Sequence, residues 1–397
     1  MPRILIVPYT NSLGHAGRCL EFRKLLDMWD INTTVVGGGE YDSLFGRGVV
    51  PSPQVPYQLL GQWLRTYLPL LPFFDGERRE LPRDPALSIA DENYRLEGLT
   101  ERWLDILGEH APDVVVADAR PEIYWAARAM GVSLVGMVSF VWTPMFEIMH
   151  NLVPSSHLES SKVDYLKAFN CVGANFGLGP VTDCWQPIMG QGKLIPDAHS
   201  FVGRFVDPSY LTIGPQVWSG PLGEEEAVLP EFDGEVPLVY ITSGTSWFPV
   251  FNQVAEMLSI LGYQVIFSGG VRSVTQVRVA KKGTLYKCSG VVSGWDIAQR
   301  ADLVLCHGGS QTLYQAAKAG TFSLVVPQHF DHQRNGLLFA EHGMAKVLPS
   351  DYQAGEIVHE VITHLESEQK MNAPLSGKES GCDRESLLSF FEEVRAL

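Results

Sequence analysis

Short apolar runs alternate with helical patterns along the first half of the chain. Residues 4–10, 31–38, 113–118 and 133–138 form nearly continuous apolar runs, which predict strands buried on both faces. Between the first two runs, and again between the last two, apolar side chains recur at helical spacing. This order of strand, helix and strand is typical of a parallel sheet that helices cover on both faces.

The same alternation starts again after Val236. Residues 237–244, 263–270, 303–309 and 322–328 predict the strands of a second sheet. We therefore predict an α/β fold of two doubly wound, Rossmann-like domains, with ligands bound in the cleft between them. A segment rich in Gly, Pro and acidic residues separates the domains, as a linker would. The predicted boundaries are 1–213 for the first domain, 214–236 for the linker, 237–380 for the second domain and 381–397 for a final helix.

Composition agrees with a globular protein and restricts its partners. Of the 397 residues, 45% are apolar and 19% are charged, which excludes a chain that is disordered overall. The formal net charge is -15, so the surface repels phosphate backbones and anionic lipid, and we expect no nucleic-acid partner. A small anionic ligand is compatible with this charge, because a few backbone N–H groups can hold a phosphate.

The sequence also lacks several common signals. There is no run of roughly 18 apolar residues, so we expect no transmembrane segment, and the N-terminus lacks the long apolar stretch of a signal peptide. Six cysteines without a CxxC pair favour reduced thiols, so we expect a cytoplasmic protein. Since GxGxxG after a strand, GxxxxGK(S/T), GxSxG, HExxH and DxD are all missing, we expect neither a metal ion nor an organic cofactor.

The strongest local signal lies in residues 303–320, LVLCHGGSQTLYQAAKAG. A predicted strand ends at the His-Gly-Gly of residues 307–309, and a helix begins near Ser310 and ends at Gly320. Two glycines let a ligand approach the backbone closely, while the first-turn N–H groups and the hydroxyl of Thr312 face it. The pattern suits a diphosphate, and it equally suits a tight turn capped by a serine.

The longer segment 307–336, HGGSQTLYQAAKAGTFSLVVPQHFDHQRNG, resembles the donor-binding region of GT-B glycosyltransferases, especially the family 1 type. That family has a His-Gly-Gly turn, a helix, an apolar strand ending in Pro and a Pro-x-x-x-Asp-Gln-x-x-Asn segment. The first half resembles it in LGHAGRCLEFRKLL (13–26), in PDVVVADARPEIYWAARAMGVSLVG (112–136) and in SYLTIGP (209–215). The resemblance implies a GT-B fold, with the acceptor bound by the first domain and a nucleotide sugar by the second.

Two residues of the first domain match the family's catalytic pair. His15 stands where the family has its general base, and Asp118 where it has the partner carboxylate. An imidazole titrates near neutrality and can accept the proton of an attacking hydroxyl, while a carboxylate can hold its tautomer. The alternatives are a histidine bonded in a turn or capping a helix, and an aspartate capping a helix that begins near Pro121.

Several residues of the second domain match the family's donor site. His307 corresponds to the histidine that contacts the pyrophosphate, with a satisfied strand-end histidine as the alternative. Local chemistry adds a second turn after the first strand of this domain, where an ordinary strand–helix turn is nearly as compatible. The predicted diphosphate-binding residues are Ser243, Thr245, His307, Gly308, Gly309, Ser310, Gln311 and Thr312.

The nucleoside and sugar positions depart from the family pattern. Trp295 stands where the family stacks an indole on the base, yet its spacing to the His-Gly-Gly turn is short, and a core tryptophan is the alternative. Gln315 replaces the usual ribose-binding Glu, and an amide can both donate and accept. Asp331 and His332 stand in the place of the Asp-Gln pair on the donor sugar, and Gln333 follows directly. Which of His332 and Gln333 reaches the sugar is left open, and a polar loop is the alternative for the cluster.

Two aromatic stretches bear on the acceptor. Residues 57–74 and 138–146 suggest a hydrophobic acceptor pocket, with helix–helix core packing as an equal alternative. Membrane docking is a third interpretation, which the lack of basic residues around Arg65 opposes.

The residues and the resemblance together predict an inverting, metal-independent glycosyltransferase. The expected donor is a UDP- or TDP-sugar, which serves as a co-substrate, and the expected acceptor is a hydroxyl of a small, partly apolar natural product. A nucleotide-sugar hydrolase or epimerase of the same fold is the first alternative, and a catalytically silent partner protein is the second. A homodimer is left open.

Overall fold

The fold comes from a computed structural model of the chain. It describes residues 2–9, 12–39, 41–46, 49–51, 93–143, 145–146, 166–167, 169–183, 185–202, 209–218, 231–243, 249–269, 276–279, 283–288, 292–328, 330–367, 375 and 382–396. These residues form two compact units, which divide between Gln216 and Val217. The last helix of the chain belongs to the first unit, although it follows the second in sequence.

The first unit is built on a parallel sheet. Its strands pair in the order β3-β2-β1-β4-β5-β6-β7. The strands are β1 (Ile4–Val7), β2 (Thr33–Gly37), β3 (Val50–Pro51), β4 (Val114–Ala117), β5 (Ser133–Met137), β6 (Gly192–Ile195) and β7 (Tyr210–Thr212). The helices of the part before Gln216 include α1 (Leu13–Met28), α2 (Asn93–His110), α3 (Tyr124–Met130), α4 (Gln186–Met189) and α5 (His199–Val202).

The second unit repeats the plan with one difference. Its strands pair in the order β10-β11-β9-β8-β12-β13-β14, all parallel except the edge pair β10–β11, which is antiparallel. The strands are β8 (Leu238–Thr242), β9 (Gln264–Ser268), β10 (Gln276–Val279), β11 (Thr284–Cys288), β12 (Leu303–Cys306), β13 (Ser323–Val325) and β14 (Ala345–Val347). The helices are α6 (Pro249–Leu261), α7 (Gly294–Ala298), α8 (Ser310–Ala319), α9 (Phe330–Glu341) and α10 (Ala354–Glu366), and α11 (Arg384–Ala396) returns to the first unit.

Each sheet has its own core, because its central strands are buried on both faces. The indoles of Trp103 and Trp125 are fully buried against the first sheet. Phe251 on α6 is fully buried against the second. Burial of such side chains stabilises each unit by about 1.5–3 kcal/mol per residue relative to an exposed side chain. The predicted α/β fold of two doubly wound sheets is therefore confirmed.

Strand order determines where polar side chains can gather. In the first sheet the chain leaves β1 toward β2 on one side, while β4 lies on the other side, so β1 and β4 flank a topological switch point. In the second sheet β8 and β12 are neighbours in the same way. Loops that follow these four strands lie at the carboxyl edges where doubly wound folds bind ligands. Within the described ranges, no helix is both long and apolar enough to cross a lipid bilayer.

Candidate active site

His15 and Asp118 meet at the switch point of the first sheet. Val7 pairs with Ala117 in the register of β1 and β4, so the residues that follow the two strands are brought side by side. His15 lies in the first turn of α1, and Asp118 directly follows β4. The His15 Nδ1 lies 2.8 Å from Asp118 Oδ1, across 103 residues of sequence. The imidazole is 29% exposed, whereas the carboxylate is only 1% exposed.

A third residue, Arg18, completes this cluster. It lies one turn after His15 on α1, and its guanidinium donates to both oxygens of Asp118. Arg18 Nε lies 3.0 Å from Oδ2, and Arg18 Nη2 lies 2.5 Å from Oδ1. This is the two-pronged geometry in which Arg binds carboxylates most strongly. Arg18 is not among the predicted site residues, and its only sequence signal is its spacing of three residues from His15.

The cluster keeps Asp118 ionised although it is buried. Burial alone would raise the pKa of the carboxyl, but the charge of Arg18 and the contact with His15 lower it to about 2. The thiol of Cys19 lies 3.5 Å from Asp118 Oδ2. Burial and the negative charge of Asp118 raise the pKa of that thiol well above its ordinary value, so Cys19 stays neutral.

The capping alternatives for these two residues do not describe their contacts. Asp118 accepts hydrogen bonds from Arg18 and Cys19 and contacts His15, while Arg120 occupies the N-cap position of the short helix Pro121–Ile123. His15 lies within α1, whose N-cap residue is Ser12. The arrangement can present one imidazole nitrogen outward while a buried carboxylate holds the other.

The second unit brings the predicted diphosphate turn to the switch point between β8 and β12. Helix α8 begins at Ser310 and ends at Ala319, with Gly320 as its C-cap residue, as predicted. Its N-cap residue is Gly309 and not a serine, and no side chain caps the helix, so the interpretation as a serine-capped turn is wrong. Gly308 has φ +101°, and Asn335 Nδ2 donates to its carbonyl oxygen at 3.0 Å.

Two histidines pack against each other beside this turn. His307 directly follows β12, and its ring lies edge-on to that of His332, with 4.3 Å between the centroids. Both residues are 8% exposed, whereas Gln333 is exposed. Asp331 Oδ2 lies 4.0 Å from His332 Nε2. The structure thus gathers His307, Asp331 and His332 in one place, and it places the side chain of His332 against an imidazole.

The two glutamines of α8 bind protein backbone. Gln311 Oε1 accepts a hydrogen bond of 3.1 Å from the backbone N–H of Trp218, and Gln315 Nε2 donates to the carbonyl oxygen of the same residue at 2.8 Å. A Cβ at Gly294 would lie 2.4 Å from Gln315 Oε1, which shows how tightly this amide is packed. Both predicted ligand-binding side chains therefore anchor the first residues of the second unit to α8.

The remaining predicted residues lie at several places. Trp295, on α7, is partly exposed and does not belong to the buried core of the second unit. Ser243 follows β8 and is 1% exposed, while Thr245 lies outside the described residues. In the stretch 138–146, Phe140 and Phe146 are buried and pack edge to face, which favours core packing for those two rings.

Other features also bear on the candidate acceptor region. The stretch 57–74 lies outside the described residues. Asp197, which the sequence analysis missed, accepts hydrogen bonds from Ser139 Oγ at 3.0 Å and from the backbone N–H of Phe140 at 2.5 Å, and so fixes the loop after β5. Among the described residues, no three His, Cys, Asp or Glu side chains converge as a metal site would require.

Comparison with known proteins agrees with this architecture. Two doubly wound sheets with these switch points define the GT-B class of α/β proteins. Residues 238–387 match the family model described as the glycosyltransferase family 28 C-terminal domain. The sequence motifs resemble family 1, whereas the matching model describes family 28, which is another family of glycosyltransferases. The predicted resemblance to GT-B glycosyltransferases is confirmed.

Curated relatives match part of their length. The chain is 26% identical over 260 residues to a PGL/p-HBAD biosynthesis rhamnosyltransferase of Mycobacterium bovis (strain BCG / Pasteur 1173P2), which covers 60% of this chain and 57% of the relative. The chain thus spans a little over half the length of this relative.

Solved structures match over the whole chain at low identity. The spinosyn forosaminyltransferase SpnP is 18% identical, with a TM-score of 0.61 over 100% of this chain and 95% of its own. SsfS6, a glycosyltransferase of Streptomyces sp. SF2575 complexed with thymidine diphosphate, is 14% identical, with a TM-score of 0.61 over 100% and 95%. These likenesses establish the fold.

Proposed function

We propose that the protein is an inverting glycosyltransferase that moves a sugar from a UDP- or TDP-sugar to a hydroxyl of a small, partly apolar natural product. The observation that carries this proposal is the contact of 2.8 Å between His15 and the buried Asp118. It supplies a general base in a chain whose residues 238–387 match a glycosyltransferase domain.

The acceptor is activated by His15. In the proposed tautomer, the Nδ1–H of His15 donates a hydrogen bond to Asp118, and Nε2 is unprotonated. Nε2 takes the proton of the acceptor hydroxyl as that oxygen attacks. The oxygen forms a bond to the anomeric carbon from the face opposite the diphosphate, so the configuration inverts. Asp118 stabilises the imidazolium that results, and it stays ionised because its pKa is about 2.

The leaving diphosphate is held by the turn after β12. The first-turn N–H groups of α8 have no carbonyl partner within the helix, and the positive end of the helix dipole lies there. Gly308 and Gly309 allow a phosphate to approach those groups, and His307 adds a donor beside them. We assign the charge of the leaving group to these donors, so that the reaction needs neither a metal ion nor a further cofactor.

The donor and acceptor classes have separate support. SsfS6 was solved with thymidine diphosphate, and the names of SpnP and of the mycobacterial relative include a forosaminyl and a rhamnosyl donor group. His332 packs against His307, so we assign the sugar contacts to Asp331 and to the exposed Gln333. Trp295 is partly exposed, which leaves indole surface for a pyrimidine base.

Nucleotide binding followed by turnover tests the proposal. Thermal shifts with UDP, TDP, GDP and ADP identify the base, and we expect the largest shift with a pyrimidine diphosphate. The preferred base is then offered as nucleotide sugars with a panel of aromatic and macrocyclic alcohols, with and without EDTA. We expect a glycosylated product of inverted configuration that EDTA does not reduce.

Two results would contradict the proposal. Release of free sugar at the same rate with and without every acceptor would indicate a hydrolase. Activity that EDTA abolishes and Mg²⁺ restores would show that the helix amides and His307 do not suffice for the leaving group.

A further inference from the structure

Arg18 is a buried, charged residue whose partner is the carboxylate of Asp118. The residue is 6% exposed, and its guanidinium is directed at the carboxylate of Asp118, which is 1% exposed. An Arg that only supported the helix could keep its head group in water. Here the head group is desolvated to make two hydrogen bonds with one carboxylate, at 3.0 Å and 2.5 Å.

The geometry around Asp118 Oδ1 determines which nitrogen of His15 carries the proton. Arg18 Nη2 and His15 Nδ1 both lie within hydrogen-bond distance of Oδ1, and they lie 3.0 Å from each other. A guanidinium has only donors, so a bond from Nη2 to Nδ1 would require an unprotonated Nδ1. Nη2 already donates to Oδ1 at 2.5 Å, and an unprotonated Nδ1 would set its lone pair against the anionic Oδ1 at only 2.8 Å, the shorter of the two Nδ1 contacts. Nδ1 is therefore the donor to Oδ1, and Nε2 keeps its lone pair.

The charges of the cluster balance only while Arg18 is present. Asp118 carries a negative charge and Arg18 a positive one, and the Cys19 thiol is neutral because burial and Asp118 raise its pKa. Asp197 also acts on Arg18, with a smaller influence than Asp118, and the ring of Tyr9 lies edge-on to that of His15, with 5.7 Å between the centroids. With Arg18 present, His15 can stay neutral beside the carboxylate. Without it, His15 would be the remaining cation in contact with a buried negative charge.

We propose that Arg18 is a positioning residue of the catalytic pair: it serves as the buried counter-ion of Asp118 and so keeps His15 neutral, with its proton on Nδ1 and Nε2 ready to act as base. The inference rests on the proposed function for its catalytic meaning. The protonation state of His15 is a property of the cluster itself, and it can be measured without any turnover.

The first test is ¹⁵N NMR of the full-length chain labelled on histidine, which distinguishes protonated from unprotonated ring nitrogens. The His15 signals are assigned by their absence in His15→Gln. At neutral pH we expect one protonated nitrogen, Nδ1, in the wild type. In Arg18→Met we expect both nitrogens of His15 to be protonated, because His15 replaces Arg18 as the counter-ion. Arg18→Lys, which keeps the charge, should restore the singly protonated ring.

The second test is the pH dependence of kcat. We expect the acid limb of the profile to move to higher pH by about 1–3 pH units in Arg18→Met, as the effect of a neighbouring opposite charge predicts. At neutral pH, kcat should then fall by about tenfold or more, because each rise of about one in the pKa of the base lowers its unprotonated fraction roughly tenfold. KM for the acceptor and Kd for the nucleotide should not change. Arg18→Lys should return the limb toward the wild-type position.

A matched control is available in the same unit. Arg120 is also a buried arginine, 4% exposed, that pairs with a buried carboxylate, Glu122, and it follows the same strand as Asp118. Arg120→Met removes a comparable ion pair without touching His15, so it should leave the ring singly protonated and the acid limb in place. If Arg18→Met does not fold, Arg18→Gln provides the same loss of charge with a polar side chain.

The outcomes separate the two proposals. A singly protonated His15 and an unmoved acid limb in a folded Arg18→Met or Arg18→Gln protein would overturn the role of Arg18. A change of the same size in Arg120→Met would also overturn it, because the effect would then be structural. If the wild type transfers no sugar while the NMR result holds, the proposed function fails and the assignment of Arg18 stands.

Discussion

At the scale of single residues, the candidate active site is organised around one buried carboxylate, that of Asp118. Asp118 is 1% exposed, and it is engaged by a guanidinium, an imidazole and a thiol that all come from the first two turns of α1. A buried carboxylate without these partners would destabilise the fold, so the residues around Asp118 can be changed only at a cost in stability. This makes Asp118 and His15 the residues at which substitution is most informative.

Removing the proposed base should affect the chemical step and not the binding of the nucleotide. In His15→Ala we expect kcat to fall by about 10²–10⁴-fold, the usual contribution of a general base. The nucleotide Kd should be unchanged, because His15 belongs to the first unit and the proposed nucleotide residues to the second. Steady-state kinetics and calorimetric titration with TDP measure the two quantities, and exposed His199 provides a control as His199→Ala.

The effects of substituting His15 and Asp118 should not be additive. Asp118→Asn should lower kcat, and the double variant should be little worse than His15→Ala alone, because each residue acts through the other. Wild-type kcat in a folded His15→Ala protein would eliminate the mechanism. It would indicate a base elsewhere or an acceptor that ionises in solution.

The same carboxylate should make stability depend on acid in a defined window. Burial opposes its ionisation, yet Arg18 and His15 lower its pKa to about 2, below the ordinary value. Folding therefore favours the ionised form: the stabilisation is present above about pH 4 and is lost as the pH falls through about 2. A difference of this size between the folded and unfolded pKa is worth roughly 2–3 kcal/mol.

Urea unfolding at a series of pH values measures this contribution. Between about pH 5 and about pH 1, the free energy of unfolding of the wild type should fall by roughly 2–3 kcal/mol more than that of Asp118→Asn, which has no titrating group at this position. Parallel curves for the two proteins would show that the folded carboxyl titrates as it does in the unfolded chain.

At the scale of elements, the turn between β12 and α8 restricts which residue can stand at position 309. A Cβ at Gly309 would lie 2.8 Å from His307 Nε2, closer than real Cβ atoms approach such an atom. The ring would have to move, and with it the donor that we assign to the diphosphate. The glycine is thus required by close approach, since its φ of -62° suits any residue.

Substitution of Gly309 should abolish nucleotide binding in a folded protein. In Gly309→Leu we expect no saturable binding of UDP or TDP, because the side chain displaces His307 and covers the first-turn amides of α8. Gly355→Leu is the matched control: it lies at the start of α10, where an added Cβ would meet open space. Thermal shift and calorimetric titration compare the two, and normal affinity in Gly309→Leu would refute the assignment of the diphosphate site.

Elements differ in how far the sequence predicts them. The central strands, such as β1, β4, β8 and β12, were predictable because burial on both faces requires continuous apolar runs. The short strands β6, β7 and β14, with sequences GKLI, YLT and AKV, were missed. Three or four residues of mixed polarity contain too few positions for a period to be recognised.

The candidate site was predictable where a motif is local. His15, Asp118 and the turn at 307–309 each follow a recognisable strand, so strand order alone brings them to the switch points. Arg18 and Gln315 were not predictable in the same way. Their partners lie 100 and 97 residues away, and an Arg or a Gln on a helix is ordinarily a solvated residue.

At the scale of the whole molecule, the two units have distinct hydrophobic cores, so we expect each to be stabilised separately. Phe391 on α11 and Phe251 on α6 are both fully buried, the first in the first unit and the second in the other. Truncation of either side chain to Ala should lower the free energy of unfolding by about 3–5 kcal/mol. Because the cores are distinct, the cost should appear only in the unit that contains the substitution.

Hydrogen exchange followed by mass spectrometry locates the effect. Phe391→Ala should accelerate exchange in peptides from β1, β5 and β6, while Phe251→Ala should accelerate it in peptides from β8, β9 and β12. Each variant is the control for the other. Equal acceleration of both sets of peptides in either variant would mean that the units open together.

The return of α11 to the first unit has a consequence for how the protein is made. Phe391 and Leu387 are fully buried, and Arg384 donates to the backbone carbonyl of Trp29 at 3.2 Å, so this helix completes a structure that begins more than 350 residues earlier in the sequence. On the ribosome, the second unit has its whole sequence before the first has its last helix. The unit begun first is therefore finished last, and it must wait, with an uncovered apolar face, until residues 384–396 have been synthesised.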